Sequence, residues 1–553
     1  MTILAVFTDK GRLLLRLLRS EGPRSVGARL FFAWRRWLMR RSRVTLDLGG
    51  VVPLPLPKAG EVEGLDIVAP VFEAGEATRA CSDVFSEENH DATNTRHRRR
   101  HRSAAPQHGL FPELRRGVAV YRERDPLESQ RREIRMVESD TPGAIDRGVL
   151  HLVSADPSHP RGGVDRHVAE LRAGLQTQGW FTAAVWVERS SLKALWGSSP
   201  ERLWTFDLPN APPERALRQR LIMGYLARAL GCSLVHVHDA RDFERRFLLD
   251  LGLPFVISLH DFQLFCRRPH LMESTSFAFC DYSRDATRCC CCLERSGLPR
   301  EEATESAQDE WRSDSAALVE QAAAIVAPSP FMAKTIADLF SDLRPEGKTH
   351  VIEHESAAAR RGSERRAGER ASVRCVFVGQ FSRSKGAALF AEIVQQLARD
   401  SRFTFRVVGG IVDHESLHSA RNAGRVQTTG WYQKEWLPEL LDADTDVVTL
   451  VSVVPESWSY TLTEVLAAGP PVLAYDLGAI GERLRRIGRQ DWLVPREEGA
   501  AGFVRRLQAH VEGRLQWAPG LVERPWTAEQ ATAQHAELYE ACLKLKSERR
   551  VRP

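Results

Sequence analysis

The stretch VVPESWSYTLTEVLAAGPPVLAYDLGAIGER, residues 453–483, decides the fold and contains two glutamates, Glu456 and Glu464. It continues an apolar run, DVVTLVSVV (446–454), whose length and content predict a buried parallel strand. TLTEVLAAG then predicts a helix that ends at a Gly-Pro-Pro sequence, before a second strand, PVLAYD. Glu456 is therefore expected on a loop at the carboxyl end of a strand, and Glu464 inside the following helix.

The turn between the two glutamates predicts an anion site. Trp458, Ser459 and Tyr460 come at the N-terminus of the predicted helix, where main-chain amides can donate to a phosphate. In open α/β sheets, ligands lie at the carboxyl ends of the strands. We therefore expect a nucleotide at this loop.

Alternating strands and helices extend outward from this stretch in both directions. Strands are predicted at GVLHLVSA, FTAAVWVE, SLVHVHD, PFVISLHD and AAAIVAPS, and a second series at RCVFVGQF, FTFRVVGG and VQTTGW. A glycine-rich turn enters a helix in HPRGGVDRHVAELRAGLQTQG (159–179). This alternation predicts α/β architecture with two Rossmann-like, doubly wound parallel sheets and a cleft between them.

The predicted halves set the domain boundaries. Residues 148–354 form the first domain, with a cysteine-rich insertion, and residues 372–515 form the second. The small, charged residues 355–371 are interpreted as a linker, and 516–553 as a helical tail. Residues 1–147 are an N-terminal extension, part of which is polar and is expected to be disordered.

Composition indicates a large cytoplasmic enzyme. The chain has 553 residues, 43% hydrophobic and 27% charged, and its net charge of +5 is too small to indicate nucleic acid as the main partner. It has no run of about 18 apolar residues, which a transmembrane helix needs, and no signal-peptide pattern. Ten cysteines without a secretory signal favour a reducing compartment.

The extension has one feature that could determine localisation. Residues 10–43 combine many arginines with aromatic and leucine side chains, a pattern typical of a helix lying on an anionic membrane surface. Packing of the same helix against the rest of the protein is an equally weighted alternative. We therefore expect a cytoplasmic protein. It either remains soluble or contacts the inner face of the membrane through residues 10–43.

The motifs occur together in an order that resembles the family-4 glycosyltransferases. They are GGVDRH, ISLHD, VAPSPF, VFVGQFSRSKG, VVGG, the two-glutamate segment and DLGAIGER, spread over residues 148–545. The resemblance implies the two-domain GT-B fold and retaining transfer of a sugar from a nucleoside-diphosphate donor. It also implies that the second domain holds the donor and the first holds the acceptor. A shorter stretch, LDIVAPVFEAGEATRACSDVF (65–85), resembles the start of a family-2 glycosyltransferase and is interpreted as a non-catalytic remnant.

Roles for individual residues follow from this resemblance. Glu456 would accept hydrogen bonds from hydroxyls of the donor sugar, and Glu464 would bind the ribose. His260, in ISLHD, would face the transferred sugar. Lys385, in SRSKG, matches the lysine that contacts the diphosphate, whose growing charge needs fixed cations. The remaining donor-binding candidates are Gly162, Gly163, Gly379, Arg383, Ser459 and Tyr460.

The sequence departs from the family pattern at two places. An arginine usually follows the glycine at position 379, but here Gln380 stands there, and Arg383 is the local substitute for the second cation. EHESAAA (353–359) occurs where relatives tend to have an asparagine–glycine turn. Both departures leave open a non-catalytic glycan-assembly partner that derives from a transferase.

Two sets of residues are potential metal ligands. Asp442, Asp444 and Asp446 resemble an Asp-x-Asp metal motif, but they precede the strand and so are interpreted as capping and turn residues. Cys289 and Cys292 have zinc-ligand spacing, and with Cys266 and Cys280 they could hold a structural zinc ion; free buried thiols or a disulfide are the alternatives. No cofactor is expected for catalysis.

The function predicted is transfer of a sugar from a nucleoside-diphosphate sugar to a growing cell-surface glycan, of the polysaccharide, lipopolysaccharide O-antigen or lipid-linked type. The partners expected are that donor and a glycan or lipid-linked glycan acceptor. A nucleotide-sugar 2-epimerase, which shares the two-domain fold, is a second alternative beside the non-catalytic partner.

Overall fold

Two sheets organise the part of the chain that the structure describes. In this computed structural model the described residues are 147–160, 162–197, 201–354, 372–424, 426–442, 445–515 and 526–551, and all belong to one compact unit within His101–Pro553. The predictions made for residues 10–43, for the rest of the extension up to residue 146 and for the linker 355–371 lie outside these ranges.

The first sheet has eight strands in the order β4-β3-β2-β1-β5-β6-β7-β8. Its strands are β1 (Gly148–Leu152), β2 (Phe181–Glu188), β3 (Ser191–Trp196), β4 (Arg202–Asp207), β5 (Leu234–Val237), β6 (Phe255–Ser258), β7 (Ala324–Ala327) and β8 (Thr349–Val351). The helices are α1 (Gly163–Thr177), α2 (Pro212–Ala229), α3 (Phe247–Asp250), α4 (Ala286–Arg295), α5 (Glu305–Gln321) and α6 (Pro330–Leu339). β1, β5, β6 and β7 are buried along their whole length, as expected for central parallel strands, although β1 and β5 each contain a buried histidine, His151 and His236.

The second sheet is parallel throughout, in the order β11-β10-β9-β12-β13-β14. Its strands are β9 (Val373–Val378), β10 (Phe403–Val408), β11 (Val426–Gly430), β12 (Val447–Leu450), β13 (Val472–Tyr475) and β14 (Leu493–Val494). The helices are α7 (Ala387–Leu397), α8 (His414–Ala423), α9 (Leu437–Asp442), α10 (Tyr460–Ala468), α11 (Gly478–Arg486) and α12 (Gly499–Val511). One continuous apolar core, from Cys375 to Leu507, holds this sheet and its helices together.

The first sheet departs from the predicted parallel pattern at one edge. β2, β3 and β4 pair antiparallel, so a meander extends the parallel part. The hairpin between β2 and β3 turns at Arg189, which has a positive φ of 57°. Because this turn contains neither glycine nor asparagine, the usual sequence signal for a hairpin was absent.

A final helix, α13 (Ala528–Val551), returns to the first sheet and packs on α1. Its residues Ala536, Leu538, Tyr539 and Cys542 join the core cluster that contains β1, β5 and β7 side chains. The predicted C-terminal tail is therefore helical over these residues and contributes to the first domain. Among the described helices, none combines the length and the apolar content that crossing a membrane requires.

Asp446, expected to be a capping or turn residue, ties two strands together. Its carboxylate accepts a hydrogen bond from the Arg374 main chain at 2.7 Å, which ties the start of β12 to the start of β9. This places it at the amino ends of the strands, opposite the two-glutamate loop. Asp444 lies outside the described residues.

Candidate active site

The loop between β12 and α10 brings the first predicted glutamate to a predicted cation. Lys385 Nζ lies 2.9 Å from Glu456 Oε1. The glutamate side chain is 14% exposed, whereas the lysine side chain is 39% exposed, so the carboxylate is sheltered and the ammonium remains accessible. These two residues come from different strand–loop–helix units of the second sheet, and the structure brings them together.

Glu456 is held in its charged form. Burial opposes ionisation, but the Lys385 ammonium and hydrogen bonds from Ser452, Lys385 and Ser459 outweigh it and keep the pKa of Glu456 below its ordinary value. Ser452 donates to the same Oε1 atom that Lys385 contacts. A carboxylate in this state accepts hydrogen bonds and does not act as a proton donor at neutral pH.

The lysine is positioned by the glycine that follows it. Gly386 has a φ of 85°, and a Cβ at this position would lie 1.9 Å from the Val451 carbonyl oxygen. Only glycine allows the loop before α7 to approach the end of β12 this closely. Val453 N also donates to Ser384 O at 3.1 Å, which fixes the Lys385 loop beside the glutamate loop.

A buried arginine holds the turn that carries the main-chain amides. Arg483 is fully buried and donates to the carbonyl oxygens of Trp458 and Ser459 at 2.9 Å each and to Thr463 Oγ1 at 2.6 Å. Its guanidinium stacks 3.8 Å from the centre of the Trp458 ring. Ser459 adopts a φ of 78°, a strained value for a residue with a side chain, and caps α10 through Leu462 N. Arg483 therefore keeps this turn in one conformation.

Glu464 contacts a residue that the sequence analysis did not single out. Arg166 Nη1, on α1 of the first domain, lies 2.8 Å from Glu464 Oε1, and both side chains are mostly buried. The same guanidinium lies 4.6 Å from the centre of the Tyr460 ring. Arg166 belongs to the GGVDRH motif, so its proximity to the glycine turn was the available signal.

The glycine turn approaches Tyr460 closely. A Cβ at Gly163 would lie 2.9 Å from Tyr460 Cδ2, whereas a Cβ at Gly162 would meet no atom within 4 Å. Gly162 has extended backbone, with φ of −141° and ψ of −177°, which any residue can adopt. Of the two predicted glycines, only Gly163 is required by the packing in this structure.

Further contacts join the two domains at the glutamate loop. Ser457 Oγ donates to the His260 carbonyl oxygen, and Ser329 Oγ donates to the Ser457 carbonyl oxygen at 2.8 Å. Arg486 and Glu353 form an ion pair between the domains. The loop that carries Glu456 is therefore supported by main-chain and side-chain groups of the first domain.

His260 belongs to a group of seven buried histidines, and its ring contacts those of His167, His238 and His354. It is 7% exposed, and its Nε2 lies 2.9 Å from His238 Nδ1. His238 Nε2 in turn lies 3.0 Å from His151 Nδ1. The group, which we call the histidine cluster, consists of His151, His167, His236, His238, His260, His354 and His535, whose rings stack or meet edge to face.

Burial keeps the interior of the histidine cluster neutral. It lowers the pKa of His151, His236 and His238 well below the ordinary value, and nearby cationic groups and imidazoles lower it further. His236 is held by hydroxyls on both sides, Tyr539 at 2.6 Å and Ser258 at 2.8 Å. The sequence analysis singled out only His260, because the other six are distributed between residues 151 and 535.

Arg383 is engaged elsewhere in this structure. Its guanidinium lies 3.6 Å from Asp413 and 3.3 Å from Glu415, and it stacks 4.1 Å from the centre of the Phe277 ring. Gly379, at the end of β9, has a φ of 111°. The prediction that Arg383 supplies the second cation for a diphosphate would require these contacts to be exchanged.

The four predicted zinc ligands line one cavity. Cys266, Cys280, Cys289 and Cys292 surround it together with apolar and polar residues of the insertion. Main-chain amides donate to two of the sulfur atoms, from Arg268 to Cys266 at 3.4 Å and from Ser274 to Cys292 at 3.3 Å. Within the described ranges, however, the groups of three potential ligand atoms that lie within 4.8 Å of one another all consist of histidine nitrogens. The four cysteine sulfurs of the described insertion do not form such a group.

Comparison with protein families decides what the chain is. The model of the family "Glycosyltransferase Family 4" matches residues 161–354, and that of "Glycosyl transferases group 1" matches residues 372–512. The two matches together extend over more than half of the sequence; the first covers the first sheet except β1, and the second covers the second sheet. The chain belongs to the glycosyltransferases. The comparison of this chain with curated proteins found no match.

The glycosyltransferase is also similar to solved structures. HepE from Anabaena in complex with UDP-glucose shares 14% identity over 72% of this chain and 98% of that one, with a TM-score of 0.40. A glycosyltransferase from Rickettsia africae ESF-5 shares 14% identity over 73% and 97%, with a TM-score of 0.42. The lipopolysaccharide outer core galactosyltransferase WaaB in its apo form shares 12% over 71% and 99%, with a TM-score of 0.44.

Proposed function

We propose that this glycosyltransferase moves a sugar from a nucleoside-diphosphate sugar to a growing cell-surface glycan, with retention of configuration at the anomeric carbon. The observation that carries the proposal is the pair formed by Lys385 and Glu456 at the carboxyl end of β12. An accessible ammonium and a sheltered carboxylate at this place suit a ligand that presents both phosphate and hydroxyl groups.

In the proposed donor complex, Lys385 binds the diphosphate and Glu456 accepts hydrogen bonds from the sugar hydroxyls. As the bond from the sugar to the phosphate breaks, negative charge grows on the departing diphosphate. The Lys385 ammonium and the amides of the turn that Arg483 supports would stabilise this charge, because they are oriented before the reaction begins. Glu464 would bind the ribose, and the donor would then displace Arg166 from it.

The charge state of Glu456 favours a transferase that does not use a carboxylic acid pair. A hydrolase of the usual kind needs one protonated carboxyl, with a raised pKa, and one nucleophile or base. The pKa of Glu456 is lowered, and its carboxylate is already paired with Lys385. We therefore propose that the departing phosphate takes the proton from the acceptor hydroxyl on the same face of the sugar, which preserves the configuration.

The acceptor proposed is a glycan or lipid-linked glycan, and the first domain is proposed to bind it. Residues 10–43 would bring the enzyme to such acceptors at the inner face of the membrane, because their arginines and aromatic side chains suit an anionic surface. This part of the proposal rests on the sequence pattern of those residues.

A donor-binding panel tests the proposal. Thermal unfolding of the full chain is followed with UDP-, GDP- and dTDP-sugars and with the free diphosphates, since a ligand that binds only the folded state raises the melting temperature. We expect one nucleotide family to stabilise the wild type, and Lys385→Ala and Glu456→Gln to lose most of that shift. Lys334→Ala is the matched control, because that lysine pairs with Asp338 on the exposed face of α6.

Two results would contradict the proposal. If no donor stabilises the wild type and none is hydrolysed, the nucleotide site is absent. If the Lys385→Ala and Glu456→Gln variants fold and respond to donor like the wild type, the site lies elsewhere. Retention is tested separately, by comparing the anomeric configuration of donor and product by NMR.

A non-catalytic glycan-assembly partner is the second candidate, and the contacts of Arg383 favour it. This arginine, the proposed substitute for the missing second cation, is paired with Asp413 and Glu415. A cellular test separates the two candidates. Lys385→Ala abolishes glycan extension if the chain is an enzyme, whereas a folded scaffold with the same substitution keeps its role.

A further inference from the structure

The histidine cluster contains two triads whose nitrogen atoms lie close enough to share one metal ion. In each triad, one nitrogen from each residue lies within 4.8 Å of the other two. The first triad is His151, His236 and His238, and the second is His167, His238 and His260. All five residues are buried, so these nitrogens meet in the protein interior and not on a solvated surface.

The first triad is the weaker candidate. Both nitrogens of His236 already contact hydroxyl groups, Nδ1 with Tyr539 at 2.6 Å and Nε2 with Ser258 at 2.8 Å. Coordination through His236 would break one of these two contacts and leave a buried hydroxyl to find another partner. Leaving a buried polar group unpaired destabilises the fold.

The second triad has the arrangement that a metal site uses. His238 Nδ1 and His260 Nε2 lie 2.9 Å apart, close to the separation of two nitrogens bound to one tetrahedral ion, which is about 3.3 Å at metal–nitrogen distances of 2.0–2.1 Å. The other nitrogen of His238 lies 3.0 Å from His151 Nδ1. Metal-binding histidines typically use their second ring nitrogen in such a hydrogen bond, which fixes the tautomer and the orientation of the ring.

We propose that His167, His238 and His260 bind a divalent transition-metal ion of the zinc class, with His151 as the hydrogen-bonded partner that orients His238. Three neutral imidazoles suit such an ion, and carboxylate-preferring ions such as Mg²⁺ and Ca²⁺ do not fit this ligand set. The proton that now lies between His238 and His260 would move to the other nitrogen of its ring when the ion binds, so the imidazoles stay neutral.

Because of where the triad lies, a bound ion would connect separate elements of the first domain. His167 is on α1, and His238 and His260 follow β5 and β6. The residue before His167 is Arg166, which pairs with Glu464 of the second domain. The ion would therefore join the start of α1 to the ends of two strands and would fix the helix that carries Arg166. His260 is also the residue expected to face the transferred sugar, so an ion bound through its Nε2 would leave only its Nδ1 for that role.

The test is metal binding by the full chain without donor. The purified protein is stripped with a chelator, dialysed against buffered Zn²⁺ and analysed for metal content, and X-ray absorption then measures the metal–ligand distance. Zn–N bonds are about 2.0–2.1 Å long and Zn–S bonds about 2.3 Å, so zinc at the histidines is distinguished from zinc at the cysteines. We expect a zinc population with nitrogen ligands in the wild type.

Single substitutions then assign the ligands. We expect His238→Gln and His167→Gln to lose the nitrogen-bound zinc, and His151→Gln to bind it about 10- to 100-fold more weakly, as loss of an orienting partner does. His418→Gln is the matched control, because that histidine is exposed on α8, in the second domain.

The inference is overturned if the wild type, from a preparation exposed to Zn²⁺, contains no nitrogen-bound metal. It is also overturned if folded His238→Gln retains the full amount. In either case the histidine cluster is a hydrogen-bonded network only. Because the wild-type measurement is decisive by itself, a variant that fails to fold does not obscure the result. Donor binding is measured separately, so failure of this inference and failure of the proposed transfer give different observations.

Discussion

At the scale of single residues, the two glycines of GGVDRH differ in what the structure requires of them. A Cβ at Gly163 would lie 2.9 Å from Tyr460, whose ring also stacks parallel to His354 with centroids 5.5 Å apart. If Tyr460 moved away from position 163, its ring contacts with Arg166 and His354 would change. The approach of the first domain to the N-terminus of α10 therefore depends on the missing side chain at position 163.

Gly163→Ala is expected to displace Tyr460 and to lower the rate of transfer by about 10- to 100-fold, because displacements on the order of 1 Å near a reacting group have effects of this size. Steady-state rates with the donor found in the binding panel measure the effect. Gly162→Ala serves as the control, since its added methyl group meets nothing within 4 Å. Equal rates in the two variants would mean that the contact with Tyr460 has no role in the reaction.

Sequence reasoning identified Glu456 from its place at the carboxyl end of a strand and Lys385 from its match to the family motif. That the two lie side by side follows from the sheet, because the carboxyl ends of parallel strands meet at one edge. Sequence reasoning did not find Arg166 or the histidine cluster. Four of the cluster's members lie in or directly after predicted strands, but strand order is not written in the sequence. The contribution of His535 depends on α13 returning to the first sheet, which no local pattern indicates.

At the scale of elements, the strands and helices around the two-glutamate segment could be predicted since apolar runs and glycine or proline stops mark them. β3 and β4 were missed because the turn that starts the meander has an arginine in the left-handed conformation. The cysteine-rich insertion has little regular structure apart from α4. Its sequence therefore shows how far apart the cysteines are along the chain, but not how their sulfur atoms are arranged in space. The ion pair of Asp281 with Arg496, at 2.7 and 3.1 Å, connects this insertion to the second domain.

For the insertion, a zinc ion at the four cysteines would protect Cys289 and Cys292 from alkylation, and binding it would require the sulfur atoms to come closer together than they do in the described structure. Burial raises the pKa of the Cys266 thiol to about 12, which makes it a slow target in any state. The informative sulfurs are therefore those on α4, and exposed Cys291 reports whether the reagent is active. Mass spectrometry should find Cys291 modified at once and Cys289 and Cys292 modified only after a chelator is added. Equal modification with and without chelator would exclude zinc at these cysteines.

At the scale of the whole molecule, the two domains are joined by contacts at the same place where the donor is proposed to bind. Arg166 of the first domain pairs with Glu464 of the second, and both side chains are largely removed from water, with 17% and 22% exposed. If Glu464 binds the ribose, the donor must first break this pair. The ion pair would then stabilise the donor-free molecule and weaken donor binding by the same free energy.

Removing the arginine should therefore have opposite effects on stability and affinity. We expect Arg166→Met to lower the melting temperature of the donor-free protein and to bind the nucleoside diphosphate about fivefold more tightly, which corresponds to about 1 kcal/mol. Calorimetric titration measures the affinity, and Glu170→Gln, which removes the other carboxylate partner of Arg166, is the control. Weaker binding by Arg166→Met would contradict the competition and would instead make Arg166 a cation that contacts the donor itself.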